Sequence, residues 1–430
     1  MLGAFHFLRV LVICNFGDYA FFLLECEVNM SAPSIVSFGW EAGRSKQVFY
    51  VADDGKVHEL YKIAGAPWSH APTSMLAHSA AQVGSGNDYQ LIGFAWEANH
   101  SKHVFFVDED ENLHELSVDT RGSWRDENLS FPGLGHLATG YAWEPVGYKH
   151  LITYSDSGVE ISELHFKGNR WQPRNLSSAA RFYMQALVRA ASSDSPGGAS
   201  FTAYGWPAGD SQQVAFIGLD GHIHELINER TSESTWDEVW KHTDLTLKTG
   251  APPPADFSEN SFITGYAWEE GRSKQVLYFD RNGAIHELYR NSGANWCWAN
   301  LTARTGAPQV SSSRYNRMVG YGWPLLGTKQ VVFIGDDRHV HEMYCGKNSD
   351  WAEAADLTTI AQSADEPSRF GAPPAHRIYN LITACAWGWG GSKQVYYVDA
   401  DNHIIELSVG RDGCWQFLDL TSRTSSPPII

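Results

Sequence analysis

Basic residues and long apolar runs are both scarce in this sequence of 430 residues. It carries 32 Lys and Arg against 49 Asp and Glu, a formal net charge of −17, and has no run of basic residues. An acidic surface repels phosphate groups, so nucleic acid and anionic membranes are not expected as partners. The apolar stretch within residues 1–28 is interrupted at Asn15, Gly17 and Asp18, short of the about 20 apolar residues that a spanning helix needs. Membrane insertion is therefore not expected.

Cysteine is also rare and irregularly placed. The six cysteines form no Cys-x-x-Cys pair and do not recur at one repeat position; they are Cys14, Cys26, Cys297, Cys345, Cys385 and Cys414. This argues against a disulfide framework and a zinc site, so we expect unpaired thiols and no metal or other cofactor. Unpaired thiols weakly favour a reducing, cytoplasmic location, and secretion is left open.

Residues 1–29 do not share the pattern of the rest of the chain. Arg9 and the short apolar segment after it are typical of a secretory signal, but no small-residue cleavage site follows. The alternative, which we favour, is that translation begins at Met30, directly before the first predicted strand. We therefore expect a non-repeat leader over 1–29 and a single domain over 30–430.

Long helical patterns are absent, and a repeat of short strand-like segments takes their place. Seven tryptophans each follow a short apolar segment: Trp40, Trp96, Trp143, Trp206, Trp268, Trp323 and Trp387. Seven residues after each of them stands Gln or His: Gln47, His103, His150, Gln213, Gln275, Gln330 and Gln394. Nineteen residues after each Trp, or twenty in the third copy, stands Glu: Glu59, Glu115, Glu163, Glu225, Glu287, Glu342 and Glu406.

The spacing within each copy predicts strand, loop, strand, tight turn and strand. A fourth strand is indicated where a Trp precedes Asn/Asp-Leu-Ser/Thr, as at Trp240 and Trp298, and only the first repeat lacks this motif. Repeats of about 40–60 residues built from short strands are typical of β-propellers, with one four-stranded blade per repeat. We therefore predict an all-β fold, a seven-bladed β-propeller of four-stranded antiparallel blades.

The recurring polar residues suggest a sugar site. The Gln or His and the Glu are twelve residues apart, or thirteen in the third copy, so they should lie close together across a hairpin. Carboxylates, amides and imidazoles bind hydroxyl groups, and an aromatic ring offers a flat wall to the C–H face of a sugar.

For the Trp alone, packing between blades is the more frequent use. The His that precedes the Glu in five repeats faces the opposite side of the strand, where it lines either a site or a core layer. The Lys beside the Gln, as in Lys274, is expected to be exposed in a loop.

The repeat resembles that of a known lectin family. The pattern Trp…Lys-Gln-Val-Phe-Tyr…Asp-Gly…Ile/Val-His-Glu-Leu…Trp…Asp-Leu-Thr recurs, with departures in single copies, through the seven repeats from about residue 34 to 430. This is similar to the fucose-binding β-propeller lectins, namely the seven-bladed Photorhabdus-type lectins and the six-bladed Aleuria aurantia lectin family. The resemblance implies that fucose lies between neighbouring blades, held by an Arg of the second strand, a Glu of the third and an aromatic ring. Gln or His replaces that Arg here, which removes a bidentate donor. The third repeat departs most, with Ser162 in place of His and one extra residue.

We therefore predict a non-enzymatic lectin with repeated sites for fucose or related O-methylated sugars. Its partners would be fucosylated or methylated glycans, and a homo-oligomer is left open. The predicted sugar-binding residues are Trp40, Gln47, Glu59, Trp96, His103, Glu115, Trp206, Gln213, Glu225, Trp268, Gln275, Glu287, Trp323, Gln330, Glu342, Trp387, Gln394 and Glu406. A glycosidase would need one unique carboxylate pair in one cleft, which the repeat does not offer. The alternative function is a scaffold for protein–protein interaction, since fold alone does not decide function.

Overall fold

The repeat folds as seven antiparallel sheets that follow one another along the chain. The computed structural model describes residues 34–73, 83, 91–129, 136–155, 160–180, 201–229, 240–255, 262–310, 318–377 and 381–429. The leader predicted over 1–29 lies outside these residues. Among the residues that are described, no helix is long and apolar enough to cross a membrane.

Each sheet is a blade whose strands pair in chain order. Blade 1 comprises β1 (Ile35–Trp40), β2 (Ser45–Val51), β3 (Val57–Ile63) and β4 (Trp68–Ala71). Blade 2 comprises β5 (Ile92–Trp96), β6 (Ser101–Val107), β7 (Leu113–Asp119) and β8 (Arg125–Asn128). Blade 3 comprises β9 (His136–Trp143), β10 (Tyr148–Tyr154), β11 (Ile161–Lys167) and β12 (Arg170–Asn175). Blade 4 comprises β13 (Phe201–Trp206), β14 (Ser211–Ile217), β15 (Ile223–Glu229) and β16 (Trp240–Asp244).

The remaining three blades follow the same plan. Blade 5 comprises β17 (Ile263–Trp268), β18 (Ser273–Phe279), β19 (Ile285–Asn291) and β20 (Cys297–Asn300). Blade 6 comprises β21 (Met318–Trp323), β22 (Thr328–Ile334), β23 (Val340–Gly346) and β24 (Ala355–Asp356). The short strand β25 (Gln362–Ser363) pairs in parallel with the last strand of blade 7, which comprises β26 (Ile382–Trp387), β27 (Ser392–Val398), β28 (Ile404–Val409) and β29 (Gln416–Asp419). The predicted seven-bladed propeller is confirmed, and β25 makes blade 7 five-stranded.

The hydrophobic core lies in the spaces between blades. Every residue of β18 is buried, because its alternating side chains pack against the blades on both sides. Val276 packs with Ala215 and Ile217 of blade 4, whereas Leu277 packs with Val331 and other residues of blade 6. The near-continuous run of apolar residues in each second strand is therefore explained by burial on both faces.

The Asn/Asp-Leu-Ser/Thr motif ends the fourth strand and begins a short helix. The helices are α1 (Leu176–Ala179), α2 (Leu245–Thr249), α3 (Leu301–Thr305), α4 (Leu357–Ile360) and α5 (Leu420–Thr424). In blade 5 the Asn300 side chain accepts a hydrogen bond from Ala303 N–H and caps α3. The Thr302 hydroxyl accepts one from Ile285 N–H at the start of the third strand. Three single-turn 3₁₀ helices follow the motif Trp of blades 2, 3 and 4, at Glu97–Asn99, Glu144–Val146 and Pro207–Gly209.

The blades close into a ring. The first strands of neighbouring blades pack against one another along the whole series, and β1 of blade 1 packs against β26 of blade 7. The C-terminal segment reinforces this junction, since Ile429 forms a bridge with Ala52 and the Tyr50 hydroxyl donates to Pro427 O at 2.9 Å. The outer edges of the described blades are short strands, which limits pairing with another chain.

Candidate functional site

The predicted Trp, Gln or His, and Glu of a blade lie on the same face of its sheet. In blade 5, Trp268 pairs with Ser273, and Glu287 pairs with Leu277. Ser273, Gln275 and Leu277 alternate along β18, so they point to one side. The expectation that these residue types lie close together is confirmed by this register.

All eighteen predicted sugar-binding residues are buried between blades. None of them exposes more than 7% of its surface. The repeated residues therefore form the inner wall of each interblade space. We call the Trp, Gln or His, and Glu of one blade, together with the side chains of the next blade that reach them, the interblade cluster.

A lysine of the next blade enters the cluster and pairs with its Glu. The expectation that this lysine is exposed in a loop is wrong, because it is the second residue of the second strand and points away from the neighbouring Gln. Lys274 Nζ lies 2.5 Å from Glu225 Oε1, which offsets the cost of burying either charge. The equivalent pairs are Lys46–Glu406, Lys102–Glu59, Lys149–Glu115, Lys329–Glu287 and Lys393–Glu342.

Two tryptophans flank the lysine ammonium. Lys329 Nζ lies 5.6 Å from the ring centroid of Trp268 in the preceding blade and 4.8 Å from that of Trp351 in its own blade. Both distances are within the range of a cation–π interaction, which is strongest when the cation is desolvated as it is here. The motif Trp thus packs between blades and also contacts a charge.

In blades 1, 3 and 5 a Trp at the fourth strand also binds the Glu of the preceding blade, whereas the buried Trp240 Nε1 of blade 4 has no hydrogen-bond partner among the described residues. Trp68 donates its Nε1–H to Glu406 Oε2 at 3.1 Å, so the first repeat has a fourth strand although it lacks the full motif. In blade 5 the donor is Trp296, which reaches Glu225 Oε2 at 3.3 Å. Trp298 lies in the fourth strand, as its motif predicts, but its side chain is 39% exposed and Trp296 makes the buried contact.

The ionisation of the cluster carboxylates depends on how many donors surround them. Burial raises the pKa of Glu115, but the hydrogen bond from His103 Nδ1 at 2.5 Å and the charge of Lys149 outweigh it and lower that pKa to about 2. For Glu342, burial outweighs the attraction of Lys393, so its pKa lies above the ordinary value. The clusters of Glu115 and Glu342 are therefore similar in layout but differ in charge balance.

The cluster of blade 3 differs from the others in its ion pair. Gln212 of blade 4 stands where other blades carry the lysine, and its Nε2 lies 3.3 Å from His150 Nε2. Glu163 Oε1 is bound instead by His150 Nδ1 at 2.7 Å. This cluster consequently has no lysine ammonium between its aromatic rings.

Three neighbouring blades bury a matching set of polar atoms without a hydrogen-bond partner in the described part of the chain. In blade 5 the atoms are Trp268 Nε1, the Tyr266 hydroxyl and Gln275 Oε1, while Gln275 Nε2 donates to Ser273 Oγ at 2.5 Å. The corresponding residues are Tyr204, Trp206 and Gln213 in blade 4 and Tyr321, Trp323 and Gln330 in blade 6. Buried polar groups in proteins are nearly always satisfied. Each set therefore leaves an indole N–H, a phenol hydroxyl and an amide C=O available to a further hydrogen-bond partner.

The histidines that precede the Glu lie on the other face of the third strand. His286 Nε2 lies 3.1 Å from Asp280 Oδ2 in the β18–β19 turn, and its ring stacks on Tyr278 with centroids 5.2 Å apart. The same His–Asp pairing occurs at His58–Asp54, His114–Asp108, His224–Asp220 and His341–Asp337. These contacts fasten the tight turn to the strand, which agrees with a core-layer role.

One set of residues was missed by the sequence analysis. The residue after the motif Trp is Glu in four repeats, and its carboxylate binds backbone amides of the preceding blade. Glu41 accepts from Gly388 N–H and Trp389 N–H, each at 2.7 Å, across the junction of blades 7 and 1. Glu97, Glu144 and Glu269 make the same kind of contact. The signal was present in the sequence as an acidic residue directly after Trp.

Comparison with known proteins finds similarity at the level of structure. No protein-family model and no curated protein matches the chain. The BP39L lectin from Burkholderia pseudomallei superimposes with a TM-score of 0.61 at 14% identity, covering 94% of this chain and 99% of that one. AofleA from Arthrobotrys oligospora superimposes with a TM-score of 0.48 at 13% identity, covering 77% of this chain and 86% of that one. The six-bladed Aleuria aurantia lectin superimposes with a TM-score of 0.46 at 14% identity, covering 91% of this chain and 95% of that one. Both structures are too distant to support an argument about this chain. The chain therefore shares its fold with a lectin, and its ligand has to be argued from its own residues.

Proposed function

We propose that this chain is a non-enzymatic lectin that binds fucose or a related O-methylated sugar at its interblade clusters. The observation that supports this most strongly is the buried, unpartnered set of indole N–H, phenol O–H and amide C=O in blades 4, 5 and 6. A sugar hydroxyl is both donor and acceptor, so a few hydroxyls of one ring can satisfy all three atoms. The similarity in fold to BP39L, itself a lectin, agrees with this proposal.

The cluster offers the two kinds of surface that a sugar ring needs. In blade 5, Trp268 supplies a flat aromatic wall for C–H groups, and Glu287 supplies a carboxylate for hydroxyl donors. Gln275 takes the place of the guanidinium that the resemblance implies, and it can accept through its unpartnered Oε1. The clusters of blades 1, 2 and 7 carry the same residue types with an incomplete unpartnered set, so blades 4, 5 and 6 are the principal sites we propose.

Access to the cluster depends on the lysine of the next blade. The unpartnered atoms are buried, and Lys329 Nζ lies 2.5 Å from Glu287 Oε1, so an entering sugar has to shift the lysine side chain. This displacement opposes binding, and we expect dissociation constants of roughly a millimolar at single sites. Several such sites on one rigid ring raise the avidity for a surface that displays many glycans.

A glycan array followed by calorimetric titration with methyl α-L-fucoside tests the proposal. The variant to compare is the triple substitution Tyr204→Phe, Tyr266→Phe and Tyr321→Phe. It removes three hydroxyls that bind nothing within the described chain, so the fold should keep its stability. If a sugar binds these hydroxyls, its dissociation constant should rise by about fivefold to tenfold, as expected for one lost hydrogen bond per site.

The matched control is Tyr278→Phe, whose hydroxyl lies on the other face of its strand and donates to Pro252 O at 2.6 Å. This substitution should leave the titration unchanged. A silent array with no heat from methyl α-L-fucoside or any other monosaccharide would reject the lectin function. Binding that is the same in the wild type and the triple variant would reject the interblade clusters as the site.

A scaffold for protein–protein interaction is the second candidate, and one observation favours it. The repeated residues are buried, whereas the large apolar side chains that are exposed do not repeat; they include Leu247, Leu326, Phe370 and Trp389. Unique exposed residues suit a unique protein partner better than a set of equivalent sugars. A silent glycan array would make this the leading function.

A further inference from the structure

Two blades place two histidines and two aspartates together where the second strand turns into the third. In blade 4 these are Asp220 in the turn, His222 and His224 at the start of the third strand, and Asp244 at the end of the fourth. Blade 6 repeats the arrangement with Asp337, His339, His341 and Asp356. We call each set the His–Asp quartet of its blade. The quartets lie on the strand face opposite the motif Glu.

Within a quartet, the side chains form close His–Asp pairs, and three of the four ligand atoms lie near one another. In blade 4, His222 Nδ1 lies 2.8 Å from Asp244 Oδ2 and 3.9 Å from Asp220 Oδ2, and His224 Nε2 lies 3.1 Å from Asp220 Oδ1. One ligand atom each of Asp220, His224 and Asp244 falls within 4.8 Å of the others. Tetrahedral zinc, with bonds of about 2.0–2.1 Å, holds its ligand atoms about 3.3 Å apart. Rotation of the side chains is therefore needed to bring four ligand atoms to that spacing.

Blade 6 shows the same His–Asp pairs with a different close trio. His339 Nδ1 lies 2.8 Å from Asp356 Oδ2, and His341 Nε2 lies 3.0 Å from Asp337 Oδ2. Here the compact trio is Asp337, His339 and Asp356, again within 4.8 Å. Two blades far apart in sequence have thus acquired the same four ligand types at the same positions.

The other blades show that the fold does not need a complete quartet. Blade 5 fastens its turn with His286–Asp280 alone and has Ala284 and Asn300 at the other two positions. Blade 7 pairs His403 with Asp419 at 2.9 Å and has Ile405 in place of the second histidine. Each His–Asp pair is sufficient by itself for its structural contact. Blades 4 and 6 combine the two pairs that blades 5 and 7 carry singly.

We propose that each quartet binds one divalent transition-metal ion of the zinc type. Two imidazole nitrogens with two carboxylate oxygens suit zinc, nickel, cobalt or copper, whereas calcium and magnesium prefer oxygen ligands alone. The sites are open to solvent, since His222 is 33% and Asp220 36% exposed at the side chain. In blade 4, His242 Nε2 lies 3.0 Å from His224 Nδ1. This contact orients the His224 ring, as hydrogen bonds to metal-binding histidines do in known metal sites.

Titration of the untagged chain with zinc chloride by calorimetry tests the proposal. We expect two sites per chain in the wild type, one in His222→Ala, one in His339→Ala, and none in the double variant. His403→Ala, in a blade with an incomplete quartet, is the matched control and should keep two sites. Because His222 and His339 are about one-third exposed, these substitutions should leave the fold intact, and circular dichroism checks this.

Thermal unfolding gives a second measurement that does not depend on the heat of binding. An ion that binds the folded chain alone raises the melting temperature by mass action. Excess zinc should raise the melting temperature of the wild type and of His403→Ala, and should have no such effect on the double variant. The proposal fails if the wild type binds no zinc, or if the double variant binds as many zinc ions as the wild type. Neither result bears on sugar binding, which uses the opposite face of the strand.

Discussion

At the scale of single residues, the third-strand Glu is the point where two blades are joined. Glu115 of blade 2 receives a hydrogen bond from His103 of its own blade, and from Lys149 and Trp171 of blade 3. A buried carboxylate with this many donors is stabilised in its ionised form. Removing the charge should therefore strain the whole group, because a buried ammonium would lose its partner.

The substitution Glu115→Gln tests this at different pH values. The pKa of Glu115 is lowered to about 2, so its carboxylate stabilises the folded chain above the ordinary pKa, and this stabilisation is lost as pH falls from about 4.5 to about 2. At pH 7 we expect the variant to unfold at a lower urea concentration than the wild type, with a loss of about 3 kcal/mol or more. The difference between the two proteins should shrink through that acid window.

The contrasting variant is Glu342→Gln. Burial raises the pKa of Glu342, so the ionised form of this residue is disfavoured in the folded chain and its contribution falls as pH rises through the ordinary value. Its difference from the wild type should not shrink on acidification. If both variants follow the same pH dependence, the assignment of opposite charge balance to the two clusters is wrong.

The sequence predicted which residues of a blade share a face of its sheet, but not which residues of the next blade pack against them. Spacing along a hairpin is enough to bring Gln275 and Glu287 together, since both belong to one blade. Lys329, the partner of Glu287, lies 42 residues away and belongs to the next blade. Because the expectation considered each repeat by itself, it placed the lysine in a loop. The proposed metal quartets have a visible signal, Asp-x-His-x-His, which only repeats 4 and 6 contain.

At the scale of elements, the loop between the first and second strands is shaped by the ring of the motif Trp. In four blades the third residue after the Trp is Gly, and a β-carbon at Gly271 would lie 2.2 Å from the Trp268 ring. Gly43, Gly209 and Gly390 meet the rings of Trp40, Trp206 and Trp387 in the same way. In these four blades the ring covers the backbone so closely that a side chain does not fit beneath it.

We expect Gly271→Ala to destabilise the chain by about 1–3 kcal/mol, because the added methyl group displaces the Trp268 ring. The displaced ring would lose its contact with Lys329, which lies 5.6 Å from its centroid. Urea unfolding measures the loss. Leu326→Ala, at the same position of blade 6 and 59% exposed, should change the midpoint little. Equal effects of the two substitutions would contradict the close packing.

Strands and tight turns were predictable from the sequence, whereas the short helices were not. Alternation and turn residues mark a strand within a few positions, as in β18 and its Asp280–Gly283 turn. A helix of four or five residues such as α3 contains little more than one turn, so it has no hydrophobic period to detect. Its Leu301 was accordingly placed in the fourth strand, although it is buried at the start of α3.

At the scale of the whole molecule, one junction closes a ring that the chain itself leaves open. The other six junctions join blades that follow each other in sequence, but blades 7 and 1 meet only in space. Lys46 pairs with Glu406 there, 360 residues away, and Trp68 binds the same carboxylate. The number of blades was predictable from counting repeats, whereas the closing contacts of the C-terminal segment were not, because that segment carries no repeat.

The contacts of the C-terminal segment should therefore contribute to the free energy of unfolding of the whole ring, although the segment lies at the end of the chain. Ile429 is buried in the cluster that joins blades 7 and 1, and its backbone N–H donates to Asn402 O. We expect Ile429→Ala to lower the free energy of unfolding by about 2–5 kcal/mol, the usual cost of truncating a buried isoleucine. Hydrogen exchange should show the loss of protection first in β1 and β26, since these strands meet at the closing junction. Ile360→Ala, at a residue that is 47% exposed, is the control and should leave both measurements near the wild type. An unfolding midpoint unchanged by Ile429→Ala would mean that the ring closes through the packing of β1 against β26 without help from the C-terminal segment.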